Sequence, residues 1–324
     1  MGKKLLNELY FIFDLDNNLQ YEYSNTYFLN LLPDFFLHLN NDLFYHLKYI
    51  VIVTTICASI GFLGRFGLLI LAFLSFYILG ITEGLGVFDH HLSLPSQVIL
   101  ILALVPGTMK ISLDYAILRL HKILKKKPLK YSINPKWSVN LILLLLIITY
   151  FTAGVSKLRY GNGIKWLDGS TLSFYLKERT LKYNEGDIQL IIGNNDIAKN
   201  DKWKDKFGFI AHTYGNFQTL KLNNKIADYI ANNKLLVITL SIGSLLFELL
   251  GFIVFINSKY RNIYLFSAIL FHLSIGALMG ISFRQYRLIC FCLIDWNSLF
   301  KYCYKKLSVF KFLKQKLEIL KMPT

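Results

Sequence analysis

Long apolar runs separated by short polar connections dominate the sequence. A helix needs about 17–25 mostly apolar residues to cross a bilayer, because its backbone polar groups must be bonded within the helix there. The runs that meet or approach this length are Leu47–Leu63, Phe66–Ile81, Leu94–Met109, Val139–Val155, Leu235–Ile256, Ile263–Ile281 and Arg287–Tyr302. The third can continue to Leu120, and the last is short and contains Asp295. The pattern predicts an all-α integral membrane protein with about seven transmembrane helices.

The predicted transmembrane domain occupies residues 47–303, and a segment of different character flanks it on each side. Residues 1–46 carry acids and asparagines among aromatics and predict an interfacial segment with a helix broken near Pro33. No signal peptide is expected, because charged residues interrupt the first apolar stretch. Residues 304–324 alternate lysines with apolar positions and predict a basic amphipathic helix on the cytoplasmic leaflet.

One long polar connection lies inside the domain. Residues 159–234 are rich in Asn, Lys and Asp and too poor in apolar residues to bury a large core of their own. Their first part predicts a turn followed by a short helix that begins near Asp168 or Ser170. We therefore expect a small helical cap over the outer ends of the transmembrane helices.

The formal net charge of +16 comes from 36 Lys and Arg against 20 Asp and Glu. In a soluble protein such an excess indicates nucleic acid, but here the cations lie between apolar runs and leave no exposed basic face. The sequence therefore predicts no nucleic-acid partner. Membrane lipids are the expected partners, and a cell membrane is the expected location.

Basic residues also predict the orientation of the chain, because cytoplasmic connections carry an excess of Lys and Arg. If seven spans alternate, four basic segments fall on one side: the turn at Arg65, the connection from Arg119 to Lys136, the turn at Lys259–Arg261, and the tail. That side is predicted to be cytoplasmic. The polar connection of residues 159–234 is then on the outer side.

Cysteine and histidine spacing predicts no metal site. The four cysteines include no C-x-x-C pair, and no histidines stand at zinc-finger spacing. A disulfide framework is also not expected, since the cysteines lie in or beside apolar runs.

Ionisable residues inside or beside the apolar runs are the candidates for chemistry, because charge in a membrane is costly and usually functional. They are Lys157, Glu248, His272, the pair His90 and His91, and the arginines Arg284 and Arg287. An outer pocket could bring several of them together, and a desolvated lysine there could act as a base.

Each candidate also has a purely structural interpretation. Lys157 is also compatible with a snorkelling interfacial anchor, His272 with a hydrogen bond between helices, and Glu248 with a pair to a neighbouring helix. The adjacent histidines fit loop positions, and the two arginines fit ordinary interfacial cations. Spacing alone does not decide among these readings.

One stretch of the sequence resembles a known enzyme family. The run YFTAGVSKLRYGNGIKWLDGSTLSFYL, residues 150–176, is similar to a stretch of the vitamin K-dependent gamma-carboxylase with an AGV-x-K-L run followed by Trp, an acid and Gly. The similarity extends to LLFELLGFIVF around Glu248, to the pair Phe271–His272 and to DHHLSLPSQVILILAL. The same set marks the wider HTTM (horizontally transferred transmembrane) domain, which includes sporulation-delaying protein B type membrane proteins.

The resemblance implies roles for individual residues. Lys157 would be the base that deprotonates a reduced quinone such as vitamin K hydroquinone, assisted by His91, or by His90 in its place. His272 would belong to the same catalytic set. Trp166, Arg284 and Glu248 would contact the cofactor.

We therefore expect a membrane protein that modifies a secreted peptide through Lys157 in an outer pocket accessible to quinone or lipid. The alternative is a non-catalytic accessory factor for peptide-toxin maturation or export. A small transporter is a third class, and it is disfavoured because two related halves with Gly-broken helices are not evident.

Overall fold

The structure is a computed structural model that describes residues 1–19, 36, 40–84, 93–105, 112–124, 136–160, 163–178, 221–280, 283–301 and 304. Within these ranges the chain is helical and contains no β-strand. It divides into two compact units, Met1–Leu145 and Leu146–Thr324, which are described separately. The all-α class predicted from the sequence is confirmed for the described residues.

Five helical stretches of the described chain are long and apolar enough to cross a membrane: Asn41–Ile60, Gly64–Thr82, Lys136–Arg159, Lys234–Phe255 and Ser258–Met279. They correspond to the first, second, fourth, fifth and sixth apolar runs of the sequence. Their number and composition indicate a membrane protein. The count of seven stays a prediction.

The third run does not continue to Leu120 as one helix. Helix α4 covers Ser93–Leu104, and a separate helix α5 begins at Leu113 and ends at Leu124. The side-chain hydroxyl of Ser112 accepts a hydrogen bond from the backbone N–H of Tyr115, which caps the start of α5. Pro106 and Gly107 follow α4 in the sequence, and both residue types favour a helix end.

The seventh run is interrupted at its acidic residue. Helix α11 spans Arg284–Leu293, and Ile294 leaves the helix with extended backbone (ψ 131°). The side-chain amide of Asn262 then donates to the carbonyl of Asp295 (3.1 Å) and accepts from its N–H (2.8 Å). This reciprocal pair satisfies the backbone groups that the break exposes, so the run holds a helix too short to span a bilayer by itself.

The first unit contains an N-terminal helix, α1 (Gly2–Leu19), that packs against α2 (Asn41–Ile60) and α3 (Gly64–Gly84). Its apolar stripe of Leu5, Leu9 and Ile12 is fully buried. These positions follow the spacing of one helical face, which explains why they bury together. Helix α2 begins six residues before the predicted Leu47, because Asn40 caps it by accepting from the N–H of Leu43. The predicted break near Pro33 lies outside the described residues.

The turn between α2 and α3 is held from outside by the start of α5. Gly61 ends α2 in the left-handed conformation (φ 67°). The carboxylate of Asp114 accepts hydrogen bonds from the backbone N–H groups of Leu63 and Gly64, each at 2.9 Å. The N–H of Asp114 donates to the carbonyl of Gly61 at 3.0 Å. Three hydrogen bonds therefore attach α5 to this turn.

The second unit is built on the end of α6 (Lys136–Tyr160), α9 (Lys234–Leu249) with its 3₁₀ continuation Leu250–Phe255, and α10 (Ser258–Met279). Two glycines permit close approach of α6 and α9. A Cβ at Gly154 would lie 3.1 Å from the Leu249 side chain, and one at Gly251 would lie 3.0 Å from Ile147. Residues later in α6 contact residues earlier in α9 and its continuation, so the two helices are antiparallel.

A cap covers one end of these helices. Helices α7 (Ser170–Glu178) and α8 (Lys221–Asn232) bury Leu176, Ala227 and Ala231 against Val237 at the start of α9. Leu278 and Met279, at the end of α10, pack on the same cluster. The side-chain hydroxyl of Ser173 donates to the carbonyl of Ala231 (2.9 Å). A helical cap was predicted in this segment, and its residues 179–220 lie outside the described part.

Gly169 fixes the cap to the helix below it. Its φ of +77° is a left-handed conformation, and a Cβ there would lie 2.9 Å from the backbone N of Ile238 and 2.9 Å from the carbonyl carbon of Val237. Backbone atoms cannot move aside as a flexible side chain does. The turn therefore requires glycine on two independent grounds.

We predict that Gly169→Ala lowers stability by at least about 2 kcal/mol, from the left-handed conformation and the backbone overlap together. The measurement is thermal unfolding of the purified protein in detergent micelles. Gly243→Ala is the matched control, because nothing lies within 4 Å of a Cβ at that helical position. The control should be neutral or stabilising. Equal melting temperatures for the two variants would contradict this account of the cap.

Candidate functional site

An ion pair joins α6 to α9 near the capped end of the second unit. The ammonium of Lys157, in the last turn of α6, donates a hydrogen bond to Oε1 of Glu248. The Glu248 side chain is 5% exposed and that of Lys157 is 23% exposed. Because a buried charge without a partner is very costly in a low-dielectric interior, each group needs the other.

Local packing explains why these two side chains meet. The missing side chain of Gly154 leaves room for the Cβ of Glu248, which would lie 3.2 Å from a Cβ built on that glycine. Lys157 follows Gly154 by three residues, so both lie on one face of α6. The G-x-x-K spacing of the sequence thus places the amine beside a point of close approach between α6 and α9.

Trp166 lies over the amine. The Nζ atom of Lys157 is 5.3 Å from the centre of the Trp166 ring, within the range of a cation–π contact. Trp166 is held there by the 3₁₀ segment Gly163–Asp168, which packs against α9. The lysine, the acid and the tryptophan that the sequence analysis selected therefore come together.

Two polar atoms at this point lack a hydrogen-bond partner among the described residues. They are Oε2 of Glu248 and Nε1 of Trp166, and both are buried. The first can only accept while the carboxylate is ionised, and the second can only donate. An acceptor and a donor left open beside one ion pair are the chemistry expected of a binding site.

His272 belongs to a second layer of the same helices. Its Nε2 lies 2.6 Å from the hydroxyl of Tyr150 on α6, and the whole residue is 5% exposed. The ring is surrounded by Phe271 on α10 and by Phe283 and Tyr286 at the start of α11. Its Nδ1 finds no partner in the described chain.

The two layers lie along one face of α6. Tyr150 precedes Lys157 by seven residues, which is two helical turns or about 10 Å along the axis. Phe247, the neighbour of Glu248, contacts the Tyr150 ring (centroids 5.4 Å) and stacks on the Tyr264 ring (4.7 Å). The hydroxyl of Tyr264 donates to the Phe247 carbonyl at 3.1 Å. Aromatic packing therefore connects the ion pair to the histidine, and the two do not bond directly.

The predicted arginines separate from each other in the structure. Arg284 is exposed in the first turn of α11 and is not brought to Lys157 by any described contact. Arg287, one turn later, lies close enough for its charge to act on His272. Its Nε is buried without a partner in the described part of the chain, as is Oε1 of Gln285. His91 and His90 lie outside the described residues.

Sequence reasoning missed one member of this arrangement. Tyr150 opens the quoted run of residues 150–176, and its separation of seven from Lys157 was a signal that both lie on one helix face. The buried partner of His272 could be found only from the fold.

The site offers no obvious metal centre. Among the described residues no group of three His, Cys, Asp or Glu side chains could hold a metal ion. Cys57, Cys290 and Cys292 are free thiols.

We predict that Lys157→Met destabilises the protein by about 2–3 kcal/mol, because it leaves Glu248 buried without its counter-ion. Thermal unfolding in detergent measures the change. Adding Glu248→Gln to Lys157→Met should recover part of the loss, since the remaining amide carries no charge. A double variant less stable than Lys157→Met would refute the pairing as the cause.

We predict that Tyr150→Phe lowers stability by about 1–3 kcal/mol, because Nε2 of His272 then loses its described partner and both ring nitrogens are left open. Phe keeps the ring contacts with Phe247 and Tyr264, which isolates the hydroxyl. Thr152→Val is the control: its hydroxyl bonds only to carbonyls of its own helix at an exposed position. A Tyr150→Phe variant as stable as the control would show that the histidine needs no partner.

Compared with profiles of protein families, with curated proteins and with solved structures, the chain has no significant match.

Proposed function

We propose that the chain is an HTTM-type membrane protein in which Lys157 and Glu248 together take a proton from the hydroxyl of a ligand. The observation that carries the proposal is the buried ion pair beneath Trp166, with one carboxylate oxygen left without a described partner. A purely structural ion pair would be expected to satisfy both oxygens. The lysine selected by its resemblance to the carboxylase run is the same lysine that forms this pair.

A reduced quinone has the hydrogen-bonding groups that the open atoms of the site call for. A phenolic hydroxyl can donate to Oε2 of Glu248 and accept from Nε1 of Trp166. The indole face of Trp166 offers a flat apolar surface to an aromatic ring. When bound, such a group would supply an acidic hydroxyl and reducing equivalents.

The residues of the pair then have distinct tasks. Glu248 would accept the hydroxyl proton of the bound group on Oε2. Lys157 stays bonded to the acid and its ammonium offsets the negative charge that the proton leaves behind. If the proton of the pair first resides on Glu248, the free amine of Lys157 takes the base role instead. Either assignment needs both side chains.

The layer around His272 supports binding of a ligand with a second polar group. Its open Nδ1 lies about two helical turns from the ion pair, and the Nε of Arg287 is a donor without a partner among the described residues. The proposal keeps a secreted peptide as the final substrate, because the sequence resembles the gamma-carboxylase and HTTM families. Modification would take place on the outer side of the membrane. The capped end of the helices is predicted to lie on that side, because the positively charged connections are at the other end.

The test is binding of menadiol, a soluble reduced quinone, to the protein in nanodiscs under anaerobic conditions. Lys157→Met and Glu248→Gln should each weaken binding at least tenfold, because the first removes the cation that pairs with the carboxylate and the second removes the carboxylate that accepts from the hydroxyl; tenfold corresponds to about 1.4 kcal/mol. Lys234→Met is the matched control. It removes an exposed lysine near the same end of the unit and should leave binding unchanged.

Two results would contradict the proposal. One is the absence of menadiol binding to the folded wild-type protein. The other is equal binding by Lys157→Met and the wild type, with both folded to the same extent by thermal unfolding. A Lys157-independent complex with a small secreted peptide would then favour the accessory function.

A further inference from the structure

Helix α5 exposes an apolar face. Leu113, Ile117 and Leu120 recur at the spacing of one helix face and are 42%, 51% and 62% exposed. The helix has only twelve residues and cannot cross a bilayer. An exposed apolar face on so short a helix needs a partner.

The end of α5 and the chain after it carry basic residues. Arg119 and His121 are exposed on the helix, and Lys122, Lys125, Lys126 and Lys127 follow in the sequence. Between Lys110 and Lys136 the single acid is Asp114, and its carboxylate is occupied by the turn after α2. The positive charge of the segment is therefore not offset by acids within it.

The attachment of α5 places its start at a defined depth. Asp114 binds the turn between Asn41–Ile60 and Gly64–Thr82, two stretches long and apolar enough to span a membrane. A turn between two such helices lies at the level of the lipid head groups. Both the bonds and the turn belong to the first unit, so α5 begins at this level.

From these observations we propose that α5 lies in the head-group layer and binds anionic phospholipid, with Leu113, Ile117 and Leu120 inserted among the acyl chains. Its cations would then contact the phosphates of the leaflet predicted to be cytoplasmic. A bilayer surface is the favoured partner because the charge is complementary and the helix is tethered at that depth. The inference does not rest on the proposed function.

The first experiment measures depth. The fluorophore NBD is attached to Ile117→Cys in a variant with Cys57, Cys290, Cys292 and Cys303 changed to Ser, reconstituted in vesicles of phosphatidylcholine with phosphatidylglycerol. Lipids carrying a nitroxide on the acyl chain should quench it strongly, and aqueous cobalt weakly. The matched control is Arg119→Cys, about 200° around the helix from Ile117, where the order of the two quenchers should reverse.

The second experiment measures lipid preference at the same label. Nitroxide-labelled phosphatidylglycerol should quench the Ile117 position more than labelled phosphatidylcholine at equal content. Arg119→Gln and Lys122→Gln should each reduce the local preference by about fivefold at low salt. High salt should reduce the preference for phosphatidylglycerol in the unaltered helix as well, because salt screens exposed charges.

Three outcomes would overturn the proposal. Equally strong cobalt quenching at positions 117 and 119 would show that α5 lies in water. An equal effect of the two labelled lipids, unchanged by the glutamines, would remove the anionic preference. Self-quenching that grows with the protein-to-lipid ratio would identify a second copy of the chain as the partner of the apolar face.

Discussion

The ion pair between Lys157 and Glu248 is the interaction on which the second unit's site depends. It forms because Gly154 lets α9 approach α6 until the acid lies beneath the amine. In a membrane helix the alternative to such a pair is a charge facing hydrocarbon, which is far more costly than in a soluble protein. The close approach and the charge pairing therefore reinforce each other. Trp166, in the 3₁₀ segment that ends one residue before Gly169, lies over the amine of this pair.

The helical architecture could be predicted from the sequence to a large extent, because apolar length alone determines which segments can span a bilayer. Five of the seven predicted runs appear as long apolar helices. The third and seventh runs do not form single long helices, for local reasons that a hydropathy pattern does not contain. Ser112 starts a new helix after the third run, and Asn262 pairs with the backbone of Asp295 within the seventh. Burial of Leu5, Leu9 and Ile12 was also missed, since acids in the same segment favoured an interfacial position.

The site could be predicted only in part. Lys157, Glu248 and Trp166 were selected individually, through motif resemblance and the cost of intramembrane charge, but spacing could not show that they meet. Their contact depends on how α6 and α9 pack, which involves residues about ninety positions apart. His272 was selected without its partner Tyr150, because a tyrosine in an apolar helix is unremarkable until the fold brings a histidine to its hydroxyl. Arg284 and Arg287 were equivalent in the sequence, and a single helical turn distinguishes the exposed one from the one whose Nε is buried.

The 3₁₀ segment that continues α9 changes the length of that helical stretch along its axis. Sixteen residues rise about 1.5 Å each and the six of Leu250–Phe255 about 2.0 Å each, so the stretch measures about 36 Å instead of about 33 Å for an uninterrupted α-helix. The hydrocarbon core is about 30 Å thick. The tighter winding thus lengthens the element by roughly two residues' worth of α-helix without adding an amino acid, so its fit to the bilayer is set by backbone geometry as well as by chain length.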